Sequence, residues 1–160
     1  MREISEHQNY EYSFGEEVAR RCPYPLDINA GYETQKWIID AQVQMEQSLD
    51  SPMILDRAIF DTLAYIVILY KQGNLTLEEH HELSSSIIAW INNSPYTTIF
   101  YHDPLMLVLD EKRITDKEFQ LTVDKELRKI LLEYCKCDVI SIDGTPNERA
   151  SKIFNHINRE

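Results

Sequence analysis

The chain has 160 residues, enough for one domain with a real core, and its 43% apolar and 27% charged content is that of a globular protein and not a disordered one. A formal net charge of -11 argues against a large nucleic-acid or anionic-membrane footprint, since both need a positive surface, but leaves room for a small basic pocket. Three cysteines with no recognisable leader peptide suit a reducing, cytoplasmic setting, and no apolar run approaches the ~18 residues that span a bilayer.

In chain order, the first twelve residues carry little pattern. Tyr10 to Phe14 reads as a short strand and 16–21 as a brief helical turn, stopped by Cys22-Pro23-Tyr24-Pro25. A helix is expected from Tyr32 to Leu49, with Trp37, Ile38, Ala41, Met45 and Leu49 on one face. Asp50-Ser51-Pro52 breaks it. Met53-Ile54-Leu55 is a short apolar run ending on the charged pair Asp56-Arg57, the pattern of a buried parallel strand feeding a helix that reaches about Gln72.

After Gly73-Asn74, Thr76 and Glu79 form a capping-box pattern for a helix running to about Asn92, striped with Leu83, Ile87, Ile88 and Ile91. Thr97 to Tyr101 is a β-branched and aromatic strand, and 105–115 a charged connection. A helix from about Asp116 to Tyr134, a strand from Asp138 to Ile142, the turn Gly144-Thr145-Pro146 and a last amphipathic helix complete the chain. Strands alternating with helices predict one α/β domain over 1–160, a three-layer parallel sheet with helices on both faces.

Several residues are candidates for chemistry, each with a plainer alternative. Asp56-Arg57 at a strand's carboxyl end suits a metal-phosphate group; alternatively Asp56 caps the next helix and Arg57 forms an ion pair. Asp61, one turn beyond Arg57, could hold it. Glu17 and Arg20 share a face if their turn is helical, as a substrate contact or a surface ion pair. Asp110-Glu111-Lys112-Arg113 is a charged lid or a solvated run. Gly144-Thr145-Pro146 borders a flat ligand or simply connects strand to helix. Trp37, Trp90 and Phe119 read as core. Cys135-x-Cys137 lacks the second Cys or His pair that zinc needs, and His80-His81 point in different directions on a helix.

Taken in order, EEVARRCPYPL, TQKWIIDAQVQME, ILDRAIFDTLAY, TTIFYHDP, DEKRITDKEFQ and SIDGTPNERASKI resemble the ATPase and small-molecule kinase group of P-loop proteins. Closest in pattern are the ribosylnicotinamide kinase domain of a bifunctional NAD-biosynthesis regulator and the nucleoside and thymidylate kinases. The resemblance covers about residues 10–158. It implies a five-stranded parallel P-loop kinase-like sheet, with ATP and Mg2+ as cofactors. It places Asp56 on the metal-phosphate group or the acceptor hydroxyl, Arg57 on substrate or phosphate, and Arg113 in the lid. Glu17, Arg20 and Gln35 would line the acceptor pocket, with Asp61 behind Arg57, and Gly144, Thr145 and Pro146 would border the adenine.

The sequence departs from that family at its defining element. No G-x-x-x-x-G-K-[ST] occurs, so the phosphate cradle is missing, as if about 30–40 residues of a truncated βαβ unit belonged upstream. Two functions from different classes are expected. One is an ATP-dependent phosphotransferase relative, weak or inactive in this form, binding a nucleotide and a small-molecule acceptor. The other is a non-catalytic binding or regulatory module that pairs with another chain or with a second copy as a homodimer.

Overall fold

The computed structural model describes residues 12–26, 29–50, 52–93, 96–104 and 117–158. The elements run β1 (Ser13–Gly15), a 3-10 turn (Val18–Arg21), α1 (Tyr32–Ser48), β2 (Met53–Leu55), α2 (Ile59–Lys71), α3 (Leu77–Asn93), β3 (Thr98–Tyr101), α4 (Lys117–Tyr134), β4 (Asp138–Ser141) and α5 (Pro146–Ile157).

The core is built around α2. Ile59, Phe60, Leu63, Ala64, Ile66, Ile68 and Leu69 are all buried, so this helix is apolar nearly all round, as a central helix must be. It packs against α4, α3 and α1. Leu83, Ile87 and Ile91 of α3, Ile130 and Leu131 of α4, Ile39 of α1, and the loop residues Ala30 and Leu75 join the cluster. The α2–α3 corner is fixed locally. Glu79 N donates to Thr76 Oγ1 at 3.2 Å while Thr76 N donates to Glu79 Oε2 at 2.7 Å, the reciprocal cap the sequence predicts.

The expected three-layer parallel sheet does not form. Among the described residues, which are 62% helical, four strands make two separate two-stranded parallel sheets, β1–β2 and β3–β4, in a mixed α/β structure. No P-loop kinase-like sheet is present among the described residues. The reason lies in the connections. Among the described residues one α-helix, α1, links β1 to β2 after the 3-10 turn, and one, α4, links β3 to β4, so each pair is a βαβ unit. Two helices, α2 and α3, separate β2 from β3. They pack on each other, and α2 also packs on α4, so they form the core where a continuous sheet would have run.

The stripe on α1 also differs from expectation. Its buried residues are Thr34, Gln35, Ile38, Ile39, Gln42 and Glu46, while Trp37, Ala41, Met45 and Leu49 are only half-buried. Three long polar side chains, Gln35, Gln42 and Glu46, are therefore turned inward, and they need partners there.

Candidate functional site

Parallel pairing of β1 with β2 sets Gly15 opposite Leu55, and Asp56 N continues the ladder to Gly15 O at 2.8 Å. Both strands thus end at the same edge. A Cβ on Gly15 would lie 2.6 Å from Leu55 Cδ2 and 3.0 Å from Met45 Cε, so the absence of a side chain lets β1 approach β2 and α1 this closely. Each strand exits into charged residues: Glu17 and Arg20 come after β1, Asp56 and Arg57 after β2.

These residues converge. Arg20 Nε donates to Glu17 Oε2 at 2.8 Å, Arg57 Nη1 donates to Asp61 Oδ1 at 3.0 Å, and Arg57 Nε is 3.8 Å from Glu17 Oε1. Four of the residues picked from sequence form one connected cluster of two guanidinium groups and two carboxylates. Part of the Arg57 side chain is desolvated, which works against its charge. Asp61 and then Glu17 outweigh that, and the proton is held more firmly than on an ordinary arginine. The Arg57 side chain is still 48% accessible and that of Arg20 60%, so both present open faces to solvent.

Arg57 has a backbone φ of 79°, the left-handed region that suits glycine and costs other residues about 1–2 kcal/mol. Asp56 does not cap α2, contrary to the plainer sequence alternative. The helix starts at Ile59, and the carboxylate of Asp61 accepts from Ala58 N at 3.3 Å. The Asp56 side chain is exposed and makes no ion pair among the described residues.

The other predicted residues are placed differently. Gln35 is buried in the first turn of α1, the helix that touches the 3-10 turn carrying Arg20. The bonds of Gly144 and Thr145 are made to α5 itself. Thr145 N donates to Glu148 Oε2 at 2.7 Å, Glu148 N donates to Thr145 Oγ1, and Arg149 Nη1 donates to Gly144 O. Pro146 is the first residue of that helix. The turn connects β4 to α5 and caps that helix. Arg113 lies outside the described residues.

No family model, curated protein or solved structure matches this chain.

Sequence reasoning missed a second polar centre. The buried Glu46 carboxylate accepts from Trp90 Nε1 at 2.8 Å, Gln42 Nε2 at 2.7 Å and Tyr96 Oη at 2.5 Å, and Ile59 N reaches Tyr96 Oη at 3.5 Å. Burial, then the charge of Glu46, pushes the Tyr96 hydroxyl well above the usual tyrosine range. This network ties α1 to α3 and to the start of α2. The only hint in sequence was the i, i+4 pair Gln42 and Glu46.

An open groove of about 510 Å³ between α1 and α3 is lined by Ile39, Val43, Ala89 and Trp90 among others, and none of the residues expected to carry chemistry borders it. Among the described residues no three His, Cys, Asp or Glu side chains gather as a metal-binding group. No helix of the described residues is long and apolar enough to cross a membrane.

Proposed function

We propose that the edge shared by β1 and β2 binds a nucleotide-type ligand, in a chain related by function to ATP-dependent small-molecule kinases. The observation that carries this reading is Arg57. It adopts a costly backbone conformation, is clamped by Asp61 and Glu17, and sits beside Asp56, which has no ion pair among the described residues. Strain of this kind collects where a side chain must be aimed.

The chemistry fits in parts. Glu17 with Arg20, and Asp61 with Arg57, are near-neutral pairs presenting both donors and acceptors, as a hydroxyl-rich acceptor such as a nucleoside sugar requires. The open faces of the two guanidinium groups suit a phosphate. Asp56 would hold Mg2+ that arrives with ATP; the metal-bound nucleotide, when present, supplies the transferable phosphoryl group. The chain's own residues bind and orient. With no G-x-x-x-x-G-K-[ST] in the sequence, the strongest phosphate-positioning device is missing and phosphoryl transfer is expected to be negligible.

Thermal unfolding with and without ATP–Mg2+, and with a nucleoside, tests the reading. A ligand at 100 times its Kd stabilises by about 2.7 kcal/mol. Stabilisation by nucleotide or nucleoside that is lost in Asp56→Asn supports the assignment; no shift with either sinks it.

A second reading is favoured by one observation. Each of β1, β2, β3 and β4 is paired on one side only among the described residues. Such edges suit a module that recruits a strand from another chain, including a second copy of itself. Concentration-dependent dimerisation without any nucleotide response would favour this reading over the first.

A further inference from the structure

We propose that Cys135 and Cys137 are a two-electron redox site that closes reversibly to an intramolecular disulfide. Cys135 directly follows α4, with its amide bonded to Leu131 O at 3.1 Å, and Cys137 directly precedes β4. The two sulfurs are 3.3 Å apart, and Cys135 Sγ is 3.5 Å from the carbonyl oxygen of Cys137. Both thiols are free and half-buried, so a small reagent can reach them. A disulfide bond is about 2.0 Å long, and closure asks each sulfur to move well under an ångström. With no third ligand gathered beside them among the described residues, the pair suits thiol–disulfide exchange better than a closed zinc site.

Their environments differ. Burial, then the hydrogen bond to Cys135, pushes the Cys137 thiol up to about 12. The sulfur–sulfur contact lets either thiol hand its proton to the other, and Cys135 is taken here as the attacking sulfur. The oxidant is a low-molecular-weight disulfide such as oxidised glutathione. The Cys135 thiolate attacks one of its sulfurs and expels a glutathione thiolate, leaving a mixed disulfide. Cys137 then gives its proton to solvent, attacks the Cys135 sulfur and expels the second glutathione thiolate. Two protein thiols are oxidised and one disulfide is reduced to two thiols, so atoms and electrons balance. The new bond ties the end of α4 to the start of β4.

Alkylation counting by intact mass tests the proposal. The reduced chain carries three free cysteines and takes three adducts. After equilibration with oxidised glutathione the expected product takes one adduct, on Cys22, and its peptide spanning Cys135 and Cys137 is lighter by two hydrogen atoms. Cys22→Ser keeps that peptide change, and Cys137→Ser stops at a glutathione adduct on Cys135. Three adducts after oxidation would overturn the proposal, as would a disulfide involving Cys22 or a second chain, or a lasting glutathione adduct on Cys135 with Cys137 present. The peptide mass of the unmutated chain decides even if a variant fails to fold.

Discussion

The two βαβ units answer the same local problem in different ways. Each has a parallel strand whose exit must turn sharply into a helix, and each places a positive φ in that turn. After β4 the angle falls on Gly144 (φ 94°), which adopts it without a side-chain penalty. After β2 it falls on Arg57 (φ 79°), which does not. Their helices differ as well. The helix after β2 is the buried centre of the molecule, while α5 after β4 has no buried residue. The comparison teaches that the β4 exit is a well-capped connection at a glycine, whereas the β2 exit places the strain of a positive φ on an arginine.

The largest expected effect tests the packing half of that contrast. Phe60, 2% exposed at the start of α2, should cost about 3–5 kcal/mol on change to alanine. Phe154 of α5, 64% exposed, should change stability by no more than about 0.5 kcal/mol on the same substitution. Chemical denaturation measures both, and similar losses would erase the distinction between the two units. Glu46→Ala comes next. It leaves Trp90 Nε1 and Gln42 Nε2 without their acceptor, and should cost about 2–3 kcal/mol by the same measurement.

A smaller pair of changes tests the backbone half. Gly144→Ala puts a Cβ at positive φ and 2.7 Å from Glu148 Oε2, and should destabilise by about 1–2 kcal/mol. Thr145→Ala removes the cap of α5 and should cost about 1 kcal/mol. It should also change the acid limb. The bonds from the backbone N–H and then the hydroxyl of Thr145 hold the Glu148 carboxyl below its usual range. A depressed carboxyl contributes stability that is present above its unfolded value of 4.5 and lost as pH falls through its folded value. Denaturation midpoints between pH 7 and pH 3 should therefore fall less steeply in Thr145→Ala than in the parent.

Much of this was legible in the sequence because it is local. Met53–Leu55 was bounded correctly by its apolar run and the following charge, and Thr76 with Glu79 formed the predicted cap because both partners lie within one turn. The meeting of Glu17, Arg20, Arg57 and Asp61 was foreshadowed by motif order, though neither spacing nor composition fixes contacts between residues some forty positions apart. The single sheet was not legible. Alternation of strands and helices sets parallel pairing within a βαβ unit, but does not say whether two units join, and here α2 and α3 stand between them. The inward turn of Gln42 and Glu46 was hidden for a related reason. Their burial depends on Trp90 and Tyr96, which no periodicity along α1 reveals.

The most direct test is Arg57→Gly. Relief at φ 79° offsets the added chain entropy of glycine and the loss of two exposed ion pairs, so the variant should unfold within about 1 kcal/mol of the parent. Calorimetric titration with ATP–Mg2+ or a nucleoside should show binding to the parent and at least a tenfold weaker response in the variant. Unchanged binding, or no binding to either protein, would contradict the account.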